Sequence, residues 1–326
     1  MNNPIPRYLE DAIAAEKSFE SQLNGFAEDA TSADLKNAFA AHAVETRHQY
    51  ELLTERLHQL GGEPSTLKSA MAHFFNMAPR AAQIGYSDEE RTTQDLIMAY
   101  SVENAEVAMY QAMIAVAESV GDNSTATLAE RIQSQERDTA EKVWRRIPPA
   151  AVHAFRRQLA EGKGTRDIVL RYLEEVEAAE QNFEDALASF SKMGDQPHIQ
   201  SLLSMMSGKA KTQHERLEHR LTDLGGSRSV AKSALAHMLA FTPVSAQMGH
   251  EPGEKNTQHL MIVYSAAAAE MGMYEALATV AKEAGDTRTL ELARELQSEE
   301  QEDYDLAWQN LGRSAKEAAE LVMNKS

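Results

Sequence analysis

Residues 99–117 read Ala99-Tyr-Ser-Val-Glu-Asn-Ala-Glu-Val-Ala-Met-Tyr-Gln-Ala-Met-Ile-Ala-Val-Ala117. Apolar residues recur there every three or four positions, the period of one helix face, and Glu103 and Glu106 are set into that stripe. The stretch returns 164 residues later, with Tyr264-Ser265, Glu270 and Met273-Tyr274 in register. Between Gly85 and Asp122, 16 of 38 positions are identical at that shift, without a gap. Further out, Arg7-Tyr8-Leu9-Glu10 recurs as Arg171-Tyr172-Leu173-Glu174, Leu60-Gly61-Gly62 as Leu224-Gly225-Gly226, and Lys68-Ser69-Ala70 as Lys232-Ser233-Ala234. So long a period is a duplicated domain and not a solenoid unit. The expected division is 1–149, a linker over 150–164, and 165–326. The linker holds a short helical piece, Ala150 to Glu161, after Ile147-Pro148-Pro149, and ends at Gly162-Lys163-Gly164.

Composition fixes the class. The 326 residues include only 16 Gly and 9 Pro, aromatics make up 6%, and strong helix formers dominate. No segment alternates apolar and polar residues with β-branched enrichment, so an all-α fold is expected. A net charge of −18, from 32 basic against 50 acidic residues, argues against nucleic-acid binding, which needs a basic stripe. Without cysteine there is no disulfide scaffold, thiolate zinc site, iron–sulfur cluster or cysteine nucleophile, and a reducing cytoplasm is the expected compartment. No apolar run approaches the ~20 residues of a membrane span, and MNNPIPRYLEDA has no secretory pattern.

Four helical stripes are predicted in the first copy. Helix 1 carries Leu9, Ile13, Glu16, Phe19, Leu23 and Phe26. Helix 2, from a Ser32 N-cap to the Gly61-Gly62 stop, carries Leu35, Ala38, His42, Glu45, His48 and Leu52. Helix 3 carries Leu96, Ala99, Glu103, Glu106, Tyr110, Met113, Ala117 and Val120. Helix 4 carries Ala129, Ile132, Glu136, Thr139, Val143 and Ile147. Short connections pair helices 1 with 2 and 3 with 4. A long stretch, Glu63 to Tyr86, joins the pairs and holds its own short apolar helix, Leu67 to Ala78. Two hairpins and one long crossover make the ferritin-like form of the four-helix bundle, expected twice.

Acids interrupt all four stripes. Glu16, Glu45, His48, Glu103, Glu106 and Glu136 would project toward the bundle axis near mid-helix, at one level. Buried carboxylates need a compensating cation, and two metal ions would supply it. Di-metal carboxylate bundles ask for single Glu residues on two helices and Glu-x-x-His on the other two. Glu45-Thr46-Arg47-His48 is such a motif, whereas Thr139 stands where helix 4 would need His. An oxygen-rich set with one imidazole suits two iron ions, or manganese, with zinc also compatible. Each acid taken alone reads more simply as a solvated face or a salt bridge, with Arg47 or Arg131 as partner. The six together carry the metal reading.

The second copy keeps Glu180, Glu270 and Glu300, and has Asp303 at the Thr139 position, but Lys209, Thr212 and Ala267 replace Glu45, His48 and Glu103. It is expected to be ligand-depleted, with Lys209 standing in for a cation as a buried salt bridge. Tyr100 and Tyr110 recur as Tyr264 and Tyr274, so packing with a hydroxyl hydrogen bond is the simpler reading for them. His73 and His237 recur in the crossover and read as interface residues.

The openings at Tyr8–Glu16 and Tyr172–Glu180, the string His42-Ala-Val-Glu-Thr-Arg-His48 with its Leu-Gly-Gly stop, and Val102-Glu-Asn-Ala-Glu-Val-Ala-Met-Tyr110 resemble the ferritin-like YciE and YciF stress proteins. The resemblance implies a ferritin-like bundle, a di-metal site, a link to stress and dimers of single-domain members. It also implies an acid late in helix 4, where this chain has Ala140 and Tyr304. The two copies would then pack as an intramolecular pseudo-dimer, the apolar crossover helices being the natural contact, and a homo-oligomer is open as well. The expected function is dioxygen, peroxide or iron redox chemistry at the first copy. The alternative is a non-catalytic stress or interaction protein with a metal-free polar core, and bulk iron storage would need a closed cage of subunits.

Overall fold

The computed structural model describes residues 3–64, 86–226 and 254–324. The crossover helix expected over Leu67 to Ala78, its counterpart, and His73 and His237 lie outside the described residues. Every regular element among the described residues is an α-helix: α1 Ile5–Asp29, α2 Ala33–Gln59, α3 Asp88–Val120, α4 Asn123–Trp144, α5 Ile147–Ala160, α6 Thr165–Phe190, α7 Pro197–Asp223, α8 Lys255–Ala284 and α9 Thr287–Asn324. None is long and apolar enough to cross a membrane.

The helix ends follow local chemistry. Ser32 caps α2 by accepting from the Leu35 amide at 3.2 Å. At the start of α3, Ser87 and Glu90 each accept the other's backbone N–H, a capping box. Gly121 ends α3 at φ +76° and Gly285 ends α8 at φ +74°, a left-handed turn that favours glycine. The next residue then starts the following helix. Asp122 accepts from the Thr125 amide at 3.0 Å and from Arg56 of α2 at 2.7 Å. The second half repeats this with Asp286, Thr289 and Arg220. These hydrogen bonds outweigh the effect of burial and hold the Asp122 carboxyl below its usual range. Asp122→Ala removes both a cap and a tie between hairpins, so a loss of about 1–2 kcal/mol is expected in chemical denaturation, with a similar loss for Asp286→Ala. The stripe of α4 ends at Trp144. Ile147 opens α5, whose first turn accommodates Pro148 and Pro149 because the N–H groups there have no helical partner.

Helices α1 and α2 run antiparallel, as ring contacts of Phe26 with Phe39 and of Phe19 with His42 show, and α3/α4, α6/α7 and α8/α9 pair in the same way. The halves meet through α3 and α8, with α3 also against α9 and α5 against both. On α3 every residue from Thr92 to Ala117 except Tyr100 and Gln111 is buried, and on α8 burial runs unbroken from Asn256 to Ala278. Helices buried on all sides belong in the middle of a larger body. Their crossing lies at Ser101 and Ser265, which are 164 positions apart: each hydroxyl donates to the other's carbonyl, at 3.0 and 2.9 Å. A residue meeting its own repeat in this reciprocal way marks an approximate twofold axis.

Candidate metal centre

In the first half the carboxylates of three helices converge. Glu16 of α1, Glu103 and Glu106 of α3 and Glu136 of α4 are all within 1% of full burial. The imidazole that joins them from α2 is His42: its Nδ1 lies 3.2 Å from Glu103 Oε1 and its Nε2 4.0 Å from Glu136 Oε2. One ligand atom each from His42, Glu103 and Glu136 fits within a 4.8 Å cluster, close enough to hold a metal ion. Gln49, also of α2, donates to Glu136, and Tyr110 donates to Glu16.

Glu45 and His48 are instead exposed. At about 100° per residue, taking His42 as the inward direction, Gln49 falls about 20° away, Glu45 about 60° and His48 about 120°. The inward side of α2 is Phe39, His42, Thr46, Gln49, Leu53 and Leu57. The expected stripe through Glu45, His48 and Leu52 is rotated from it. The duplication holds a signal for the true register: Gln49, Leu53 and Leu57 recur as Gln213, Leu217 and Leu221, whereas Glu45, His48 and Leu52 become Lys209, Thr212 and Arg216. Arg47, a possible partner for the acids, pairs with Glu20 on the outer surface.

Among the described residues no Lys or Arg ion-pairs with the four acids. Burial pushes the Glu16, Glu103 and Glu106 carboxyls well above the usual range, and their neighbours' negative charges add to it. Glu136 is pushed up to about 7, mainly by burial, and burial lowers His42 to about 4. The imidazole is therefore neutral, the form that binds a metal. Both oxygens of Glu103 and of Glu106, one oxygen of Glu16 and His42 Nε2 lack a hydrogen-bond partner. A buried polar atom left unpaired costs roughly 1–3 kcal/mol, and more when charged. Such a donor set, hard oxygens with one neutral nitrogen, fits divalent or trivalent iron or manganese.

The second half is not bare. Although Met206 and Ala267 stand where the first half has His42 and Glu103, Glu180, Glu270 and Glu300 still bring one oxygen each within 4.8 Å of the others. Tyr274 donates to Glu180 at 2.5 Å and Gln213 to Glu300 at 2.8 Å, repeating the first half's supports. Lys209 does not enter this cluster. Its ammonium sits at the rim, 3.0 Å from Asp303 and bonded to the Glu299 carbonyl, because its α2-equivalent position faces outward like that of Glu45. The second half also holds a buried pair of its own, His214 with Glu177 at 3.0 Å, and the partly buried Glu184 lies 3.2 Å from the other ring nitrogen. Among the described residues, two buried groups could thus each hold a metal ion, the first with the richer donor set.

No solved structure matches the chain. A family described as a domain of unknown function, DUF892, matches residues 7–154 and again residues 165–319, the two repeats that the 164-residue shift marks out. The chain belongs to the DUF892 family and carries that domain twice.

Proposed function

We propose that the first half is a ferritin-like di-metal carboxylate centre, binding two iron or manganese ions for dioxygen, peroxide or iron redox chemistry. The observation that carries this reading is the cluster of four buried carboxyls with no Lys or Arg paired to them among the described residues, in which both Glu106 oxygens and one Glu16 oxygen have no hydrogen-bond partner. A metal-free core of that kind would be replaced to advantage by apolar side chains. Glu16, His42, Glu103, Glu106 and Glu136 would hold the ions, with Glu45 at the rim, near enough to raise Glu136 electrostatically. A bound pair of redox ions would supply the electron transfer that the carboxylates and the imidazole around them cannot. The protein's own part is positional. Tyr110 and Gln49 fix the planes of Glu16 and Glu136, Phe19 packs its ring against His42 at 5.4 Å, and the surrounding apolar side chains keep bulk water out. The likeness to the YciE and YciF proteins supports a role in stress.

Metal analysis after expression in iron- or manganese-supplemented medium tests the reading. About two ions per chain are expected in the first half, as in di-metal bundles. His42→Ala should reduce them, whereas Glu45→Ala/His48→Ala should leave most of the metal in place. No metal under any loading condition would instead favour a structural stress protein with protonated carboxyls at its core.

A further inference from the structure

The two halves differ beside the axis in a way that leaves one side open. Position 140 is Ala where the second half has Tyr304, and position 301 is Gln where the first half has Arg137. In the second half these larger groups fill the space next to Tyr264 and Trp308. The Tyr304 ring stacks on Tyr264 with centroids 3.9 Å apart and planes 24° from parallel, and the Arg137 guanidinium, reaching across from α4, lies 4.3 Å over the Trp308 ring. The matching pair in the first half, Tyr100 and Trp144 at 4.9 Å, has the smaller Ala140 and Gln301 at the corresponding places in the same lining. What remains there is a cavity of about 570 Å³, walled by Tyr100, Asn104, Ala140, Trp144, Gln301 and Tyr304.

We propose that this cavity binds a planar aromatic monoanion. The ring is argued from the second half, where a phenol already occupies the equivalent space and stacks on the equivalent tyrosine. The volume lies within the roughly 300–1,000 Å³ common for small-molecule sites. The wall is pre-organised: Tyr304 donates to Asn104 Oδ1 at 2.7 Å, and the Asn104 amide donates to the Tyr100 carbonyl at 2.7 Å. The charge is argued from what is already neutralised. Glu141 pairs with Arg145 and Arg294 with Glu275. Arg137 lines the cavity, and among the described residues it makes no ion pair. One guanidinium edge is therefore available to a carboxylate. This site is built from residues other than the proposed metal ligands and stands whether or not metal binds.

Calorimetric titration of the full chain with naphthoate, and with neutral naphthol as control, tests it. One saturable site per chain is expected for naphthoate. Ala140→Tyr copies the second half's filling and should weaken binding at least about tenfold, since it removes the stacking space. Gln301→Arg, at an exposed position that tolerates charge, should cover Trp144 and have a similar effect. Arg137→Gln should weaken naphthoate while leaving naphthol unchanged. The proposal is overturned if the wild type shows no saturable binding, or if either filling variant, melting like the wild type, binds naphthoate equally well. Equal weakening of both ligands by Arg137→Gln would overturn the anionic part.

Discussion

Stripped of metal, the protein is expected to lose stability as pH rises from about 5 to about 8, and loading with iron or manganese should reduce that dependence to the part carried by Asp11 and Glu175, each raised to about 7 by burial away from the acid clusters. Glu136 sits at about 7 and Glu300 at about 8, both raised from 4.5 chiefly by burial, and Glu16, Glu103, Glu106, Glu180 and Glu270 are raised as well. The sign follows from proton counts. Above 4.5 the unfolded chain has released these protons while the folded chain keeps them, so each step up in pH favours unfolding until the folded groups ionise. The stability is full below 4.5 and is lost as pH rises through about 7 to 8. His42 and His259, each lowered to about 4, act in the opposite sense, and only below 6.5. The stretch above 6.5 therefore isolates the carboxyls. At 1.36 kcal/mol per unit, one such group is worth roughly 3 kcal/mol, so the cluster should move the melting temperature by many degrees. Metal replaces the protons of the clustered acids and should make the profile shallower. Thermal melts of chelator-treated and reconstituted protein across this range measure the effect, and Glu103→Gln/Glu106→Gln should make the metal-free profile shallower, by removing two of the raised groups, and reduce stabilisation by metal. Parallel profiles with and without metal would remove the case for a metal centre.

Much of this centre is legible in the sequence because the acids of α1, α3 and α4 interrupt stripes that are otherwise apolar. Glu16, Glu103, Glu106 and Glu136 lie between Ile13, Phe19, Ala99, Tyr110 and Ile132, all buried, so the helical period alone orients them. Helix α2 offers no such guide. Its inward positions include His42, Thr46 and Gln49, and hydropathy cannot tell these from the polar residues outside, Glu45 and His48. Comparing the two copies position by position gives the register that the stripe does not. The all-α class and the duplication follow from composition and the 164-residue shift. The packing of the halves does not, because Ser101 and Ser265 are ordinary helix residues until α3 and α8 cross. The cavity beside Ala140 is likewise hidden, since a missing ring shows only when its repeat is seen to fill the same space with Tyr304.

Cutting the chain between the halves is expected to leave them together, and one buried charge at their crossing should then separate them. Residues 161–164 are exposed apart from the half-buried Lys163, and they lie between α5 and α6, so a protease site placed there can be cleaved without disturbing a helix. What holds the halves is centred on the α3–α8 contact, in which both helices are buried on nearly every side, with α3 against α9 and α5 against α8 beside it. Gly272 gives α8 close approach there: a Cβ on it would come within 3.3 Å of Ile97 on α3. Exposing those faces would return a large apolar surface to water at about 25 cal/mol per Å². The nicked protein should therefore elute as one species of the intact mass, 36.0 kDa. Ser265→Arg places a guanidinium at a fully buried point facing Ser101, with no acid among the hydrogen-bond partners of that pair. An unpaired buried charge costs several kcal/mol, more than a contact without a covalent link readily absorbs. After cleavage this variant should run as two fragments or precipitate, while the uncut variant, still tethered, unfolds at lower temperature in two steps instead of one. If nicked wild-type protein itself separates into halves on a sizing column, the α3–α8 crossing is not what unites them, and the twofold arrangement rests on the linker alone.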